Sequence, residues 1–102
     1  MALNRSSTEG KNEIYLMIGA AYRSLGQHAQ AYRYFKKAVH PFSSDTTLEH
    51  LYWLASSALL AGRFSEGALL LRCFAQKVPP DDATWYERLK ELERSAVLVG
   101  QR

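Results

Sequence analysis

The sequence has few of the residues that crosslink, anchor or break a chain. Of its 102 residues only one is cysteine and three are proline. Cys73 therefore has no partner for an internal disulfide bond, and a free thiol is typical of a reducing compartment. The apolar runs are too short and too often interrupted to span a bilayer, and the first residues lack the apolar stretch of a signal peptide. We therefore expect a cytoplasmic protein without membrane insertion.

An excess of charge of one sign is missing too. Thirteen Lys and Arg residues stand against ten Asp and Glu residues, which gives a formal net charge of +3. So small and scattered a positive charge does not predict a nucleic-acid partner. With 47% hydrophobic and 23% charged residues, the composition is that of a single small folded domain.

Residue patterns that carry chemistry are absent as well. His28, His40 and His50 have neither the spacing of a zinc site nor paired cysteines nearby. No glycine-rich phosphate loop, nucleophile elbow or pair of catalytic carboxylates is recognisable. We therefore expect no enzyme activity, no cofactor and no metal site.

The first part of the chain does contain apolar and small residues at helical spacing. They are Tyr15, Ile18, Gly19 and Tyr22, followed after Gly26 by Ala31, Tyr32, Phe35, Ala38 and Val39. This spacing predicts two amphipathic helices that form a hairpin over residues 12–40. A single hairpin cannot bury its apolar face alone, so the pattern indicates neighbours of the same kind.

A second hairpin is predicted over residues 47–78. Its turn at Gly62 follows Gly26 by 36 residues (62 minus 26). Asp45 or Thr46 is expected to cap its first helix, because short polar side chains accept the free N–H groups of a helix start.

A last amphipathic helix is predicted over residues 82–98, with Trp85 and Leu89 on its apolar face. The chain is thus predicted to be an all-α superhelix, with two hairpins and a C-terminal capping helix in one domain over residues 11–99. Residues 1–10 are polar and lack periodicity, so we expect a flexible lead-in there.

The repeated pattern resembles the tetratricopeptide family of helical hairpin repeats. The matching positions of the first hairpin are Tyr15, Ile18-Gly19, Tyr22, Ala31 and Phe35. Those of the second are Leu51, Leu54-Ala55, Ala58, Gly67, Leu71 and Pro79, a weaker match. The last helix matches only at Trp85, Leu89 and Leu92, and Arg88 occupies a place that is usually apolar in the family.

The resemblance implies that the first helix of each hairpin lines a concave groove for a protein or peptide segment. Carried across in register, the groove residues are Glu13, Leu16, Ala20, Arg23, Ser24, Glu49, Tyr52, Ser56, Leu59, Leu60, Tyr86, Lys90 and Arg94. One subgroup of the family holds a chaperone's C-terminal carboxylate with Lys and Asn, where this chain has Leu16 and Ala20. We therefore expect no such clamp, but an apolar or amphipathic segment. Alternatively, some of these side chains only pack against the last helix.

A second candidate surface is an apolar interface. Leu69 and Leu70 belong to a leucine run that points in three directions around a helix, and Tyr34 adjoins the predicted core residue Phe35. A homodimer or a complex with another protein would cover what remains exposed. The alternative is that the last helix folds over it.

Two functions fit these expectations. The first is a non-enzymatic binding module that shields a segment of a partner protein. Short proteins of such repeats are similar to the small chaperones of bacterial type III secretion systems, which keep exported subunits soluble. The second is a self-associating scaffold protein that positions larger partners.

Overall fold

The computed structural model describes the backbone of residues 2–100 and the side chains of residues 10–98. This part of the chain forms five helices and no strand: α1 (Ala2–Ser24), α2 (His28–Ala38), α3 (Leu48–Leu60), α4 (Phe64–Lys77) and α5 (Ala83–Gly100). The predicted all-α fold class is confirmed. Helices α1 and α2 pack as one hairpin, α3 and α4 as a second, and α5 packs against both helices of the second.

Helix α1 starts earlier than expected, at Ala2 rather than near residue 12. No proline interrupts the segment, and Gly10 does not have a positive φ, so nothing local ends the helix there. The backbone is therefore helical across the predicted boundary at residue 10. The mobility expected of residues 1–10 stays a prediction, and Met1 lies outside the described residues.

Both hairpins turn in the same way. Gly26 and Gly62 have φ angles of 76° and 82°, the left-handed conformation that glycine adopts without a steric penalty. In each turn the N–H of the next residue donates to the carbonyl oxygen five residues earlier, at 2.9 Å in both cases. This pattern satisfies carbonyl groups that the end of a helix would leave unpaired. The predicted turns at these two glycines are therefore confirmed.

A glycine also lets the two helices of each hairpin approach closely. A Cβ atom added to Gly19 in α1 would lie 2.6 Å from the ring of Phe35 in α2. One added to Gly67 in α4 would lie 2.6 Å from a methyl carbon of Leu59 in α3. Phe35 and Leu59 are both buried, so each glycine forms the hole into which a core side chain inserts.

Helix α3 is at the centre of the fold, because it packs against α2, α4 and α5. Seven of its thirteen residues are buried: Leu51, Leu54, Ala55, Ser56, Ser57, Ala58 and Leu59. Phe74 of α4 and Leu92 of α5 extend the same core. Since three helices cover α3, few of its side chains remain for contact with a partner.

The start of α3 differs by one or two residues from the expected cap. Thr47 is the cap, and its hydroxyl oxygen accepts the N–H of His50 at 3.2 Å. The prediction of Asp45 or Thr46 is wrong, because the Thr46 hydroxyl donates to the carbonyl oxygen of His40 and so closes the loop before the helix. One threonine thus shapes the loop and the next one begins α3.

Three polar contacts tie α4 to the first hairpin and to the loop that follows it. The Tyr32 hydroxyl of α2 donates to the Glu66 carboxylate of α4, and the Lys36 ammonium lies 3.5 Å from the same carboxylate. Farther along, the Lys77 ammonium donates to the carbonyl oxygen of Ser43 at 2.7 Å. These contacts link α4 to α2 and to the loop between α2 and α3.

The contact between Tyr32 and Glu66 shifts both pKa values. Burial raises the pKa of Tyr32, and the neighbouring Glu66 carboxylate raises it further. The hydrogen bond from Tyr32 is the main cause that lowers the pKa of Glu66 below its ordinary value of 4.5, with a smaller contribution from Lys36. The Glu66 side chain is partly exposed, so solvent screening limits the size of this effect.

Candidate functional site

An open, largely apolar groove lies between α1 and α3, the first helices of the two hairpins. It has a volume of about 430 Å³ and is lined by Glu13, Leu16, Met17, Ala20, His50 and Trp53. We call these six residues the α1–α3 groove. Met17 is 70% exposed, although burial of its apolar side chain would lower the free energy.

The wall of the groove on α3 is held in place by aromatic contacts. The Trp53 ring stacks on Phe35, with centroids 5.6 Å apart, and the His50 ring lies 5.5 Å from Trp53. Phe35 is fully buried, so the indole rests against the rigid core. The α3 side of the groove is therefore formed before any partner binds.

Beside this groove, two arginines from different helices approach one tyrosine of α3. The guanidinium carbon of Arg23 in α1 lies 5.8 Å from the centroid of the Tyr52 ring, and that of Arg88 in α5 lies 5.3 Å from it. Arg88 also lies 5.5 Å from the ring centroid of Trp85. We call Arg23, Tyr52 and Arg88 the arginine–tyrosine cluster.

The structure brings together part of the groove that was predicted from the sequence. Glu13, Leu16 and Ala20 line the α1–α3 groove, and Arg23 and Tyr52 lie in the arginine–tyrosine cluster. On α1 and α3, the predicted residues that are exposed but line no part of the groove are Ser24, Glu49 and Leu60.

Two predicted groove residues of α3 are in the interior instead. Leu59 is 2% exposed and packs into the space above Gly67, and Ser56 is buried with its hydroxyl donating to the carbonyl oxygen of Trp53. Their assignment to the groove is wrong. The reason is that α3 packs against α2, α4 and α5, and Leu59 fits against Gly67 of α4, whereas the corresponding side of α1 is bordered by the open groove.

The predicted groove residues of α5 do not reach the α1–α3 groove. Lys90 lies over the Tyr86 ring at 5.1 Å, and Lys90 and Arg94 line a separate depression on α5. Helix α5 approaches Tyr52 through Trp85 and Arg88, which lie on another side of the helix. Tyr86, Lys90 and Arg94 are therefore exposed side chains of α5 away from the groove.

The predicted apolar interface is divided between the surface and the core. Leu69 is 50% exposed, whereas Leu70 is only 6% exposed and belongs to the core, so that little of its surface remains for an interface. Helical geometry turns successive residues by about 100°, so that neighbouring leucines face different surroundings. Tyr34 is half-buried and stacks on Tyr22 with centroids 5.7 Å apart.

Four residues of the site were not among the predicted groove residues: Met17, His50, Trp53 and Arg88. Met17 lies four residues after Glu13 and three before Ala20, so helical spacing could have placed it on the same face. Arg88 stood out in the sequence as a charge at a usually apolar place. His50 and Trp53 carried no such signal, because the side of α3 that borders α1 depends on how the hairpins pack.

Among the residues that the structure describes, no group of three or more His, Cys, Asp or Glu side chains is arranged to hold a metal ion. None of the described helices combines the length and the apolar character needed to cross a membrane.

The chain was also compared with known proteins. No family model matches it, and no curated protein or solved structure is significantly similar to it. The function must therefore be inferred from the groove itself.

Proposed function

We propose that this chain is a non-enzymatic binding module that shields a segment of a partner protein in the α1–α3 groove. The observation that carries the proposal is the preformed apolar surface of the groove. Leu16 and Trp53 pack against the core, while Met17 is largely exposed. An amphipathic segment would bury these side chains, and this burial would favour binding.

We further propose that the hairpins are repeats of the tetratricopeptide type and that the chain is a small secretion chaperone acting in the cytoplasm. The matching turns at Gly26 and Gly62 and the packing of Phe35 on Gly19 support the repeat assignment. The exposed apolar groove supports the chaperone role, in which the chain would keep its partner soluble until export.

A photo-crosslinking amino acid at position 17 tests this function in the cell that naturally produces the protein. We expect it to capture a partner that aggregates when this chain is absent. The matched control is the same amino acid at Arg72, an exposed position on α4. Capture from position 72 but not from position 17, or a partner that is equally soluble without the chain, would contradict the proposal.

The variant Met17→Glu sharpens the test, because Met17 is exposed and its replacement leaves the core intact. A carboxylate in the apolar groove should weaken binding at least about tenfold, since its desolvation is not repaid. Ser65→Glu adds the same charge at an exposed position of α4 and should leave affinity unchanged.

Self-association as a scaffold is the alternative, and exposed Leu69 favours it. This leucine borders a depression of about 380 Å³ that Tyr32, Val39 and Leu70 also line. A dimer detected by sedimentation that Leu69→Glu disrupts and Met17→Glu leaves intact would support this alternative over shielding.

A further inference from the structure

The arginine–tyrosine cluster is positively charged, and within the described residues its two arginines form no ion pair. Between the described residues, the only ion pairs within 4.0 Å are those of Lys36 and Arg63 with Glu66. Neither Arg23 nor Arg88 is among them. The guanidinium carbons of Arg23 and Arg88 lie 5.8 and 5.3 Å from the centroid of the Tyr52 ring. The distance between them therefore cannot exceed the sum of these two distances.

The Tyr52 ring orients these guanidinium groups for contact with an anion. Contact with the face of an aromatic ring orients a guanidinium group and leaves its N–H donors available at the edges. A carboxylate accepts such donors in pairs, through short charge-assisted hydrogen bonds. The cluster therefore offers guanidinium donors to which a carboxylate can bind.

The cluster also continues the α1–α3 groove. Arg23 follows Ala20 by three residues and Leu16 by seven, and this spacing places the three residues on one side of α1. On α3, the Tyr52 ring contacts Arg23, so this side of α1 leads from the groove to the cluster. The apolar surface of the groove and the positive site thus follow one another along α1, and we call them together the strip.

The opposite end of the groove carries the opposite charge. Glu13 lines the groove ten residues before Arg23, which corresponds to about 15 Å along α1. A carboxylate of a bound segment would be repelled near Glu13 and attracted near Arg23. The charges of the strip thus favour one orientation of the segment.

From these observations we infer that the groove selects an amphipathic protein segment in which an acidic side chain, bound at the arginine–tyrosine cluster, adjoins apolar side chains held by Leu16, Met17 and Trp53. This inference rests on the proposed function and names the chemistry of the partner. The apolar half of the strip favours a protein over a nucleic acid, which would need several phosphate contacts.

Selection from a displayed library of random segments of about 14 residues tests the inference, because a helix of this length spans about 21 Å. The library is selected against the natural protein, Met17→Glu, the double variant Arg23→Gln/Arg88→Gln, and the control Arg33→Gln/Arg72→Gln. The control removes the same charge from exposed positions of α2 and α4. Circular dichroism verifies that each variant is folded.

We expect the natural protein and the control to enrich segments with an acidic residue beside apolar ones, and the double variant to enrich apolar segments without that acidic residue. In one enriched segment made as a synthetic peptide, replacing Glu by Gln should weaken binding to the natural protein about tenfold. The same replacement should leave binding to the double variant unchanged, since the two changes remove one interaction.

Other outcomes separate the inference from the proposed function. Apolar segments enriched without an acidic residue, or an acidic preference that persists in the double variant, would overturn the inference and leave the shielding function standing. No enrichment by the natural protein beyond that by Met17→Glu would overturn both. Tighter binding of a single-stranded oligonucleotide than of the selected peptide at physiological salt would also overturn the inference.

Discussion

The two hairpins have the same turns but insert side chains in opposite directions. In the first hairpin Phe35 of the second helix packs onto Gly19 of the first, and in the second hairpin Leu59 of the first helix packs onto Gly67 of the second. A glycine can only receive a side chain from the helix that faces it. The position of the glycine therefore decides which helix supplies the inserted side chain, and which side chain leaves the surface.

This difference changes the role of equivalent positions. Arg23 corresponds to Leu59 in the repeat (59 minus 23 is 36), but Arg23 reaches Tyr52 at the surface while Leu59 lies in the core. The surroundings differ as well, because α3 packs against three helices whereas α1 packs closely against α2. The hairpin that matches the repeat pattern better is thus the one whose first helix remains more open.

The strongest test of this contrast replaces each equivalent side chain by alanine. Leu59→Ala should lower the free energy of unfolding by about 2–5 kcal/mol, because it opens a cavity beside Gly67. Arg23→Ala should lower it by less than about 1 kcal/mol, since it removes only a surface contact. Urea denaturation measures both values, and equal losses would show that the two positions do not differ in burial.

Adding one methyl group to each glycine gives a smaller effect. Gly19→Ala should destabilise the protein by about 1–3 kcal/mol, because the new Cβ would collide with the fully buried Phe35 ring. Gly67→Ala should have a similar cost, because its new Cβ would lie 2.6 Å from the Cδ2 atom and 2.9 Å from the Cγ atom of buried Leu59. Gly10→Ala is the control, with no atom within 4 Å of its new Cβ, and should stabilise α1 by up to about 1 kcal/mol.

A second substitution tests whether the loss of stability in Gly19→Ala comes from a collision with Phe35. In the Gly19→Ala background, Phe35→Leu should cost less than it does in the natural protein, because the smaller side chain relieves the overlap. Thermal unfolding of the natural protein, the two single variants and the double variant measures how strongly the two losses of stability depend on each other. Additive losses would mean that Gly19 and Phe35 do not share a close contact.

The smallest effect is expected at the contact between the hairpins. Tyr32→Phe should lower the free energy of unfolding by about 1 kcal/mol at neutral pH, because Glu66 loses its hydrogen bond. The folded-state pKa of Tyr32 is raised, so its contribution is present below the ordinary tyrosine pKa of about 10 and declines as pH rises above it. Denaturation at several pH values should show that Tyr32→Phe costs less stability above a pH of about 10 than at neutral pH.

Glu66 provides the matching test at low pH. Its folded-state pKa is lowered, so its contribution is present above its ordinary pKa of 4.5 and is lost as pH falls below that value. The difference in stability between the natural protein and Glu66→Gln should therefore shrink in acid. A difference that stays constant would mean that the carboxylate is not bonded to Tyr32 in the folded protein.

Much of the fold could be predicted because it depends on local patterns. The apolar spacing around Tyr15 and Tyr22, together with Gly26 and Gly62, was enough to predict two hairpins and their turns. The capping position at Thr47 was missed because neighbouring threonines have the same local chemistry. Only the loop contact of Thr46 with His40 distinguishes them.

The candidate site was predicted less well, because it depends on which helices are neighbours. Leu16 and Ala20 could be found from their side of α1, since the repeat pattern relates them to one face. Leu59 and Ser56 occupy equivalent faces of α3 but are buried, because α3 packs against three other helices. The approach of Arg23 and Arg88 to Tyr52 brings together residues of three helices, and no spacing within one helix encodes it.

The sequence alone therefore specifies the helices and the glycine turns, because spacing and φ preference act over a few neighbouring residues. The packing of the helices specifies which apolar side chains are covered, since burial depends on residues far away in the chain. For this reason Leu59 and Leu70 belong to the core, while Met17 and the two arginines on Tyr52 remain at the surface.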